Sequence, residues 1–276
     1  MFKQGTEQPA AVGPLTETTT ATAGGALRAR LLAGATHLVL SIAVACVVLG
    51  LVYFAWYPAP LDRISGVGEI LLLLLAVDVT LGPLLTTVVF DRRKKSLPLD
   101  LACIAVLQLA ALAYGLYTVE AGRPHYLVFV KDRFEVVSRA DLQADDRAAA
   151  AGNASAHAAW FAPRIVAAEA PADAAEREKL MMESVLGGRD VQHFPARYRE
   201  LATQRTQLAA KAQPLAALRE VNPGRDAVLD AAIARAGAAA DRLGFVPIKG
   251  PKGDAAMLVD IAGGGLAGMV DLAPWR

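Results

Sequence analysis

Residues that build metal centres and disulfide frameworks are scarce in this chain. It has two cysteines and four histidines among 276 residues. Cys46 and Cys103 fall inside apolar segments, where cysteine more often packs as a small apolar residue than acts as a ligand or nucleophile. None of the scattered histidines stands at ligand spacing from another ligand type. We therefore expect no metal site, and the cysteine-free residues 120–276 give no clue to their redox compartment.

Sequence signatures of catalysis and phosphate binding are also missing. No Gly-x-Ser-x-Gly nucleophile elbow occurs. The run Gly263-Gly264-Gly265 lies between predicted strands and not before a helix, so it predicts a turn rather than an anion-binding loop. A formal net charge of +1 gives no electrostatic case for a nucleic-acid partner. We expect a protein that is not an enzyme and uses no cofactor.

The chain does contain three long apolar segments, at residues 36–57, 69–90 and 99–119. A helix rises 1.5 Å per residue, so about 20 apolar residues cross a hydrocarbon core of ~30 Å. The pattern predicts three transmembrane α-helices. We divide the chain into a disordered N-terminal extension (1–30), a three-helix transmembrane domain (31–119) and a soluble domain (120–276).

Positive charges near the segment ends predict their orientation. Arg28 and Arg30 precede the first segment, and Arg92-Arg93-Lys94-Lys95 lies between the second and third. The loop 58–68 has one arginine, opposed by an aspartate. The positive-inside rule therefore places the N-terminus in the cytoplasm and residues 120–276 outside it. In a Gram-negative cell the latter compartment is the periplasm.

Aromatic residues at the outer segment ends agree with this orientation. Trp56 and Tyr57 end the first segment, and Tyr117 lies near the end of the third. Such residues are enriched at the membrane–water interface. We therefore expect these three side chains to form an aromatic belt.

The soluble segment alternates strand-like and helix-like sequence. Residues 126–130 and 134–137 flank a short polar loop and predict a hairpin. We expect three helices. The first lies between Pro171 and Gly187-Gly188, with Leu180, Met181 and Val185 on its apolar side. The second spans 196–211, and the third has Asn222 as N-cap and ends before Gly244. The expected C-terminal strands are 245–249, 256–261 and 266–272. We predict an α+β periplasmic domain with an antiparallel sheet and the helices on one face.

Asp78 is a carboxylate near the middle of the second apolar segment. A carboxylate at the bilayer centre raises the free energy of membrane insertion by roughly 2.5–3.5 kcal/mol. The five leucines at 71–75 each lower it by ~0.5 kcal/mol, which about cancels this cost. The residue is tolerated, but it should face protein or be protonated. One interpretation is a contact for a partner helix or a proton site. The other is a hydrogen bond within the three-helix bundle, and the two are compatible.

Pro83 and Gln108 complete the predicted intramembrane polar site. Pro83 removes a backbone hydrogen bond, which gives either an ordinary kink or a carbonyl that a neighbour satisfies. If the second helix runs inward from Glu69 and the third outward from Leu99, Asp78 and Gln108 lie within ~5 Å in depth. We predict that Gln108 donates a hydrogen bond to Asp78, alone or together with a polar group of a partner helix.

Several motifs in a fixed order resemble a known family. In the apolar region they are Trp56-Tyr57-Pro58-x-Pro60-Leu61, Gly66-Val67-Gly68, Asp78-Val79-x-Leu81-Gly82-Pro83-Leu84-Leu85-Thr86 and Leu107-Gln108-Leu109-Ala110-Ala111-Leu112-x-Tyr114-Gly115-Leu116-Tyr117. The soluble part adds Gly122-Arg123-Pro124, Tyr126-Leu127-Val128-Phe129, Asp132-Arg133-Phe134-Glu135-Val136-Val137 and Asp271-Leu272-x-Pro274-Trp275. Together they resemble the TfpX/TfpZ type IV pilin accessory proteins of Gram-negative bacteria.

The resemblance implies a multi-pass inner-membrane protein that binds a type IV pilin subunit. Such a protein assists pilus assembly or modulates the balance between extension and retraction. The implied partners are the pilin, other membrane proteins of pilus assembly, and membrane lipids. A pilin awaiting assembly has one membrane helix and a periplasmic head, so this helper could contact both parts.

Two other function classes stay open. One is a membrane-anchored sensor whose periplasmic domain binds a ligand, although the short loop 91–98 leaves no cytoplasmic output domain. The other is a membrane enzyme or transporter subunit that uses Asp78. The absence of an internal repeat and of a second acidic residue at that depth disfavours it.

A topology reporter tests the predicted orientation. A reporter enzyme that works only in the cytoplasm, fused after Arg276, should be inactive because the third segment exits the cytoplasm. The same reporter inserted into the loop 91–98 should be active and serves as the control. Activity of the C-terminal fusion would contradict the orientation.

Overall fold

The computed structural model describes the backbone of residues 17–275 and the side chains of residues 24–275; the first part of the predicted extension, residues 1–16, lies outside the described residues. Contacts between residues divide the described chain into two compact units. The helix unit comprises residues 17–45 and 75–111, and the sheet unit comprises residues 46–74 and 112–275. Each apolar helix therefore contributes residues to both units.

Four helices precede the first strand. They are α1 (Glu17–Leu51), which continues into a π-helical turn (Val52–Trp56), α2 (Leu61–Ser65), α3 (Val67–Val89) and α4 (Leu97–Gly122). Within the described residues, three stretches are long and apolar enough to cross a membrane: Gly24–Trp56, Val67–Val89 and Leu97–Gly122. They contain most of each of the three predicted segments. Residues 17–30 are helical rather than disordered as predicted, and the alanines that recur there favour a helix.

One eight-stranded sheet forms the centre of the sheet unit. Its strands are β1 (Pro124–Val130), β2 (Arg133–Ser138), β3 (Arg164–Ala168), β4 (Tyr198–Glu200), β5 (Gln213–Pro214), β6 (Leu243–Lys249), β7 (Asp254–Asp260) and β8 (Leu266–Val270). The order is β4-β3-β1-β2-β6-β7-β8, with β5 also pairing with β6. The predicted hairpin is confirmed as β1 and β2, and the three C-terminal strands are confirmed as β6, β7 and β8.

The sheet is mixed, so the prediction of an antiparallel sheet is wrong. β3 pairs parallel with β1, and β6 pairs parallel with β2. The antiparallel strand β2 returns the chain to the end of the sheet where β1 begins, so β3 can run parallel to β1 after the connection 139–163. Between β2 and β6, residues 139–242 are long enough for the crossover that parallel pairing needs. The remaining pairs are antiparallel.

Both faces of the sheet are covered, which corrects the prediction of helices on one face. Alternate residues of a strand point to opposite faces. Leu127 and Phe129 of β1 therefore belong to a different core from Tyr126 and Val128. All seven residues of β1 are buried, as the unbroken apolar run at its centre requires.

The helix predicted between Pro171 and Gly187-Gly188 is confirmed, and it is one of the further helices of the described residues. They are α5 (Ala144–Ala149), α6 (Ala174–Gly187), α7 (Arg205–Lys211), α8 (Leu215–Val221) and α9 (Asp226–Ala236). The predicted helix 196–211 is wrong in its first half, because residues 198–200 pair with β3 as strand β4. On α6, only Leu180 packs against a core, whereas Met181 and Val185 are exposed.

Asn222 does not cap a helix start as predicted; it follows the end of α8. Its buried amide nitrogen donates to the carbonyls of Leu218 and Ala273, both at 2.8 Å. The side-chain oxygen accepts from the backbone N–H of Ala273 at 3.0 Å. Asn222 therefore ties α8 to the C-terminal segment, a role that needs a distant partner and left no local sequence signal.

The loop between α1 and α3 contributes to the core of the sheet unit. Leu61 and Ile64 of α2 are fully buried in the cluster that contains Leu127 and Ile248. The backbone N–H of Lys252 donates to the carbonyl of Ile64 at 2.8 Å, and Arg63 forms an ion pair with Asp271. α2 is thus held to the sheet by apolar burial, a backbone hydrogen bond and an ion pair.

Truncation of Ile64 should destabilise the sheet unit. We expect Ile64→Ala to cost about 2–5 kcal/mol because it leaves a cavity in a fully buried cluster. The measurement is protease resistance of residues 120–275 in the detergent-purified full chain. Ile70→Ala is the matched control, because Ile70 of α3 is exposed. Equal resistance of the two variants would contradict the role of α2 in the core.

Candidate functional site

A polar side-chain pair joins α3 and α4 in the helix unit. Gln108 Nε2 donates to Asp78 Oδ1 at 3.0 Å and to the Asp78 main-chain oxygen at 3.2 Å. Both residues are half-buried. The hydrogen bond predicted from helix depth is therefore present. A role of this pair in binding a partner stays a prediction.

Gly82 allows Gln108 to approach α3 so closely. A Cβ at this position would overlap the terminal amide group of Gln108. Gly82 is one turn after Asp78, so the two residues share a face of α3. Sequence reasoning noted Gly82 only beside the proline. The spacing of four residues from Asp78 was the signal that this glycine belongs to the polar contact.

Pro83 is buried within α3 and is associated with α1 rather than with the Asp78–Gln108 pair. Thr87 Oγ1 donates to the Pro83 carbonyl at 2.8 Å. A Cβ at Gly34 of α1 would overlap the Thr87 side chain and lie 3.2 Å from the Pro83 oxygen. The structure thus joins Asp78 to Gln108, whereas Pro83 lies at the close approach of α1 and α3.

A second polar contact joins α1 and α3. His37 Nδ1 and Thr86 Oγ1 share a hydrogen bond of 2.6 Å, and Thr86 is buried. This pairing was not predicted, although the segment bounds 36–57 and 69–90 place His37 and Thr86 near the same side of the predicted membrane. Polar side chains therefore join α1 to α3 through His37 and α3 to α4 through Gln108.

The three residues of the predicted aromatic belt differ in exposure. Trp56 and Tyr57 are buried, with 5% and 2% exposure, whereas Tyr117 is exposed. The Tyr57 hydroxyl donates to the Val119 carbonyl of α4 at 2.8 Å. Tyr57 therefore links the end of the π-helical turn to α4 within the sheet unit, and the Trp56 ring packs on Trp160 at 6.1 Å between ring centroids.

A buried ionic cluster joins the last turn of α4 to the start of β1. The Arg123 side chain is 3% exposed, and its Nε lies 3.6 Å from Glu120 Oε1. Glu120 Oε1 also lies 3.2 Å from His125 Nε2. Burial lowers the pKa of His125 below its ordinary value, and this outweighs the opposite effect of the hydrogen bonds to the Arg123 backbone and to Glu120. The sequence placed Arg123 in a motif but gave no reason for its burial.

The described residues contain no group of three or more His, Cys, Asp or Glu side chains that could hold a metal ion. Cys46 and Cys103 are free thiols. Both are exposed on their helices.

Comparison with known proteins relates the chain to fimbrial assembly. Residues 26–66 match the family model "Fimbrial assembly protein FimB". The fimbrial assembly protein of serogroup I from Dichelobacter nodosus is 31% identical over 182 residues, which cover 65% of this chain and 70% of that protein. The protein of serogroups C1 and C2 from the same organism is 36% identical over 112 residues, or 40% of this chain and 86% of that protein. No solved structure matches the chain.

Enlargement of Gly82 should disturb the contact between α3 and α4. We expect Gly82→Ala to cost about 1–3 kcal/mol, because the added methyl group overlaps the Gln108 amide. The measurement is the thermal unfolding midpoint of the purified full chain in detergent.

Gly50→Ala is the matched control, because a Cβ there meets nothing within 4 Å. Truncation of the overlapping side chain in Gly82→Ala/Gln108→Ala should reduce the cost of the alanine. An equal effect of Gly82→Ala with and without Gln108 would show that the overlap is not its cause.

Proposed function

Because this chain belongs to the FimB family of fimbrial assembly proteins, we propose that it is an inner-membrane accessory protein of type IV pilus biogenesis. In this proposal it binds the pilin subunit and assists assembly or modulates the balance between extension and retraction. The N-terminus is cytoplasmic and residues 120–276 are periplasmic. Within this function, we propose the TfpX/TfpZ type of pilin accessory protein as the more specific assignment.

The Asp78 carboxylate is the observation that carries the pilin-binding part of the proposal. A carboxylate in an apolar helix is costly and is commonly functional. Among the described residues, its hydrogen-bond partner is Gln108, which occupies Oδ1. An ionised carboxylate has about four acceptor positions on two oxygens. The side chain is only half-buried, so a donor group on the membrane helix of a pilin can reach the second oxygen.

The sheet unit supports a second contact with the pilin. All eight strands of the sheet unit follow the last apolar helix in the chain, where the proposed orientation puts them beside a pilin head outside the cytoplasm. The proposal assigns no reaction to the protein. Its role is to hold or present another membrane subunit, for which interhelical polar contacts and an exposed folded domain are sufficient.

Loss of the protein should reduce surface pili and twitching motility without affecting growth. The measurement is the count of surface pili and the motility zone of a clean deletion strain that has no second copy of the gene. Restored piliation on expression of the full chain is the control. Normal piliation and motility in the deletion strain would contradict the proposal.

Substitutions of Asp78 separate a structural role from partner binding. Asp78→Asn keeps an acceptor for Gln108 and removes the charge. Hydrogen bonds between membrane helices average only ~0.6 kcal/mol, so the variant should still accumulate. We expect less pilin to co-purify with this variant, because the donor group on the pilin helix loses its interaction with the negative charge of Asp78.

Thr80→Val is the matched control for this experiment, because among the described residues the Thr80 hydroxyl donates to the Ala76 carbonyl of its own helix. Asp78→Leu removes both charge and acceptor. Undiminished pilin binding by Asp78→Leu, at normal protein level, would exclude Asp78 from the interface.

A further inference from the structure

The loop 157–163, called here the aromatic loop, is attached to the ends of two apolar helices. The Ala162 N–H donates to the Ala55 carbonyl in the π-helical turn at 2.8 Å. The Arg123 guanidinium, directly after α4, donates to the carbonyls of Ala159 at 2.9 Å and Trp160 at 3.1 Å. These bonds hold the loop level with the outer ends of α1 and α4.

Large apolar side chains are exposed at this level. Trp160 is 59% exposed, although its ring packs nearly perpendicular to that of Trp56 at 6.1 Å between ring centroids. Phe161 is 65% exposed, and Phe54 of the π-helical turn is 89% exposed. Phe54 belongs to an apolar helix and is expected to face lipid. The aromatic loop presents the same kind of surface from a different part of the chain.

A cationic cavity of about 460 Å³ opens beside the aromatic loop. Its charged and imidazole side chains are those of Glu120, Arg123, His125, Arg139, Arg147 and His157, and Tyr126 also lines it. Glu120 is the one carboxylate among them. It lies 3.6 Å from Arg123 Nε and 3.7 Å from Arg139 Nη1.

The positive charge of this cavity exceeds the negative charge. Arg147 Nη1 donates to the carbonyls of Arg139 and Leu142, and no carboxylate lies within 4 Å of its guanidinium within residues 24–275. Three arginines thus face one carboxylate. Burial lowers the pKa of His125, so this ring adds no positive charge at neutral pH.

We propose that this cavity binds the phosphate of an anionic phospholipid headgroup, while Trp160 and Phe161 lie at the boundary between headgroups and acyl chains. The inference rests on the membrane placement in the proposed function. Arginine is suited to phosphate because its planar fork donates two parallel hydrogen bonds. Tryptophan and phenylalanine beside cations are the side chains that a membrane interface accommodates. The size of the cavity is in the range of small-molecule sites.

Lipid retention by the purified full chain tests the cavity. The protein in detergent is supplied with phosphatidylglycerol, phosphatidylcholine or inorganic phosphate, and retained lipid is counted by native mass spectrometry. We expect preferential retention of phosphatidylglycerol. Arg139→Gln/Arg147→Gln should reduce its apparent affinity roughly tenfold, because charge-assisted hydrogen bonds are lost. Exposed Arg235 of α9 provides the control Arg235→Gln, which should retain lipid like the wild type.

Two outcomes would overturn the cavity assignment. One is equal phosphatidylglycerol retention by the double variant and the wild type. The other is inorganic phosphate that competes as well as the lipid, which would identify a soluble anion as the ligand. The experiment contains no pilin, so its failure leaves the pilin-binding tests unaffected.

Tryptophan quenching in bilayers with brominated lipid tests the aromatic loop. The wild type should be quenched, and Trp160→Phe should lose the quenched part of its fluorescence. Trp275→Phe is the matched control, because Trp275 Nε1 donates a hydrogen bond to Asp254 Oδ2 at 2.8 Å within the sheet unit. The Trp275→Phe variant should lose fluorescence that brominated lipid does not quench. Quenching that is unchanged by Trp160→Phe would place the loop away from the lipid.

Discussion

Burial of α2 in the core of the sheet unit is the constraint on which the structure around the ends of the apolar helices depends. Leu61 and Ile64 belong to a short loop between two apolar helices, yet they are fully buried against strands that come later in the chain. The sheet unit therefore cannot form its complete core from residues 120–275 alone. The loop, the π-helical turn and the start of the sheet fold as one structure.

This constraint explains why aromatic and charged residues near the helix ends are buried. Tyr57 bonds Val119, and Arg123 bonds the aromatic loop, so the ends of α1 and α4 are joined by directed hydrogen bonds. In the helix unit, polar pairs have a similar task between helices: Asp78 with Gln108, and His37 with Thr86. In an apolar solvent such pairs determine which faces meet, although each adds little stability.

The sequence predicted features that depend on local pattern or on length. The three apolar helices, the β1–β2 hairpin and the contact between Asp78 and Gln108 all follow from apolar runs, turn residues and helix rise. The errors arose where distant partners decide the structure. Residues 198–200 form a strand because β3 offers an edge, and Asn222 is placed by the backbone of Ala273. Arg123 is buried because a loop far along the chain supplies its acceptors.

The account assigns the exposed side of α3 around Asp78 to a pilin helix. Site-specific photocrosslinking in living cells tests this claim most directly. A photoreactive residue at Leu81, which is exposed three residues after Asp78, should crosslink to the pilin subunit. The same residue at Leu40, which is exposed on α1, should not. Pilin crosslinks from both positions alike, or from neither, would contradict the assignment.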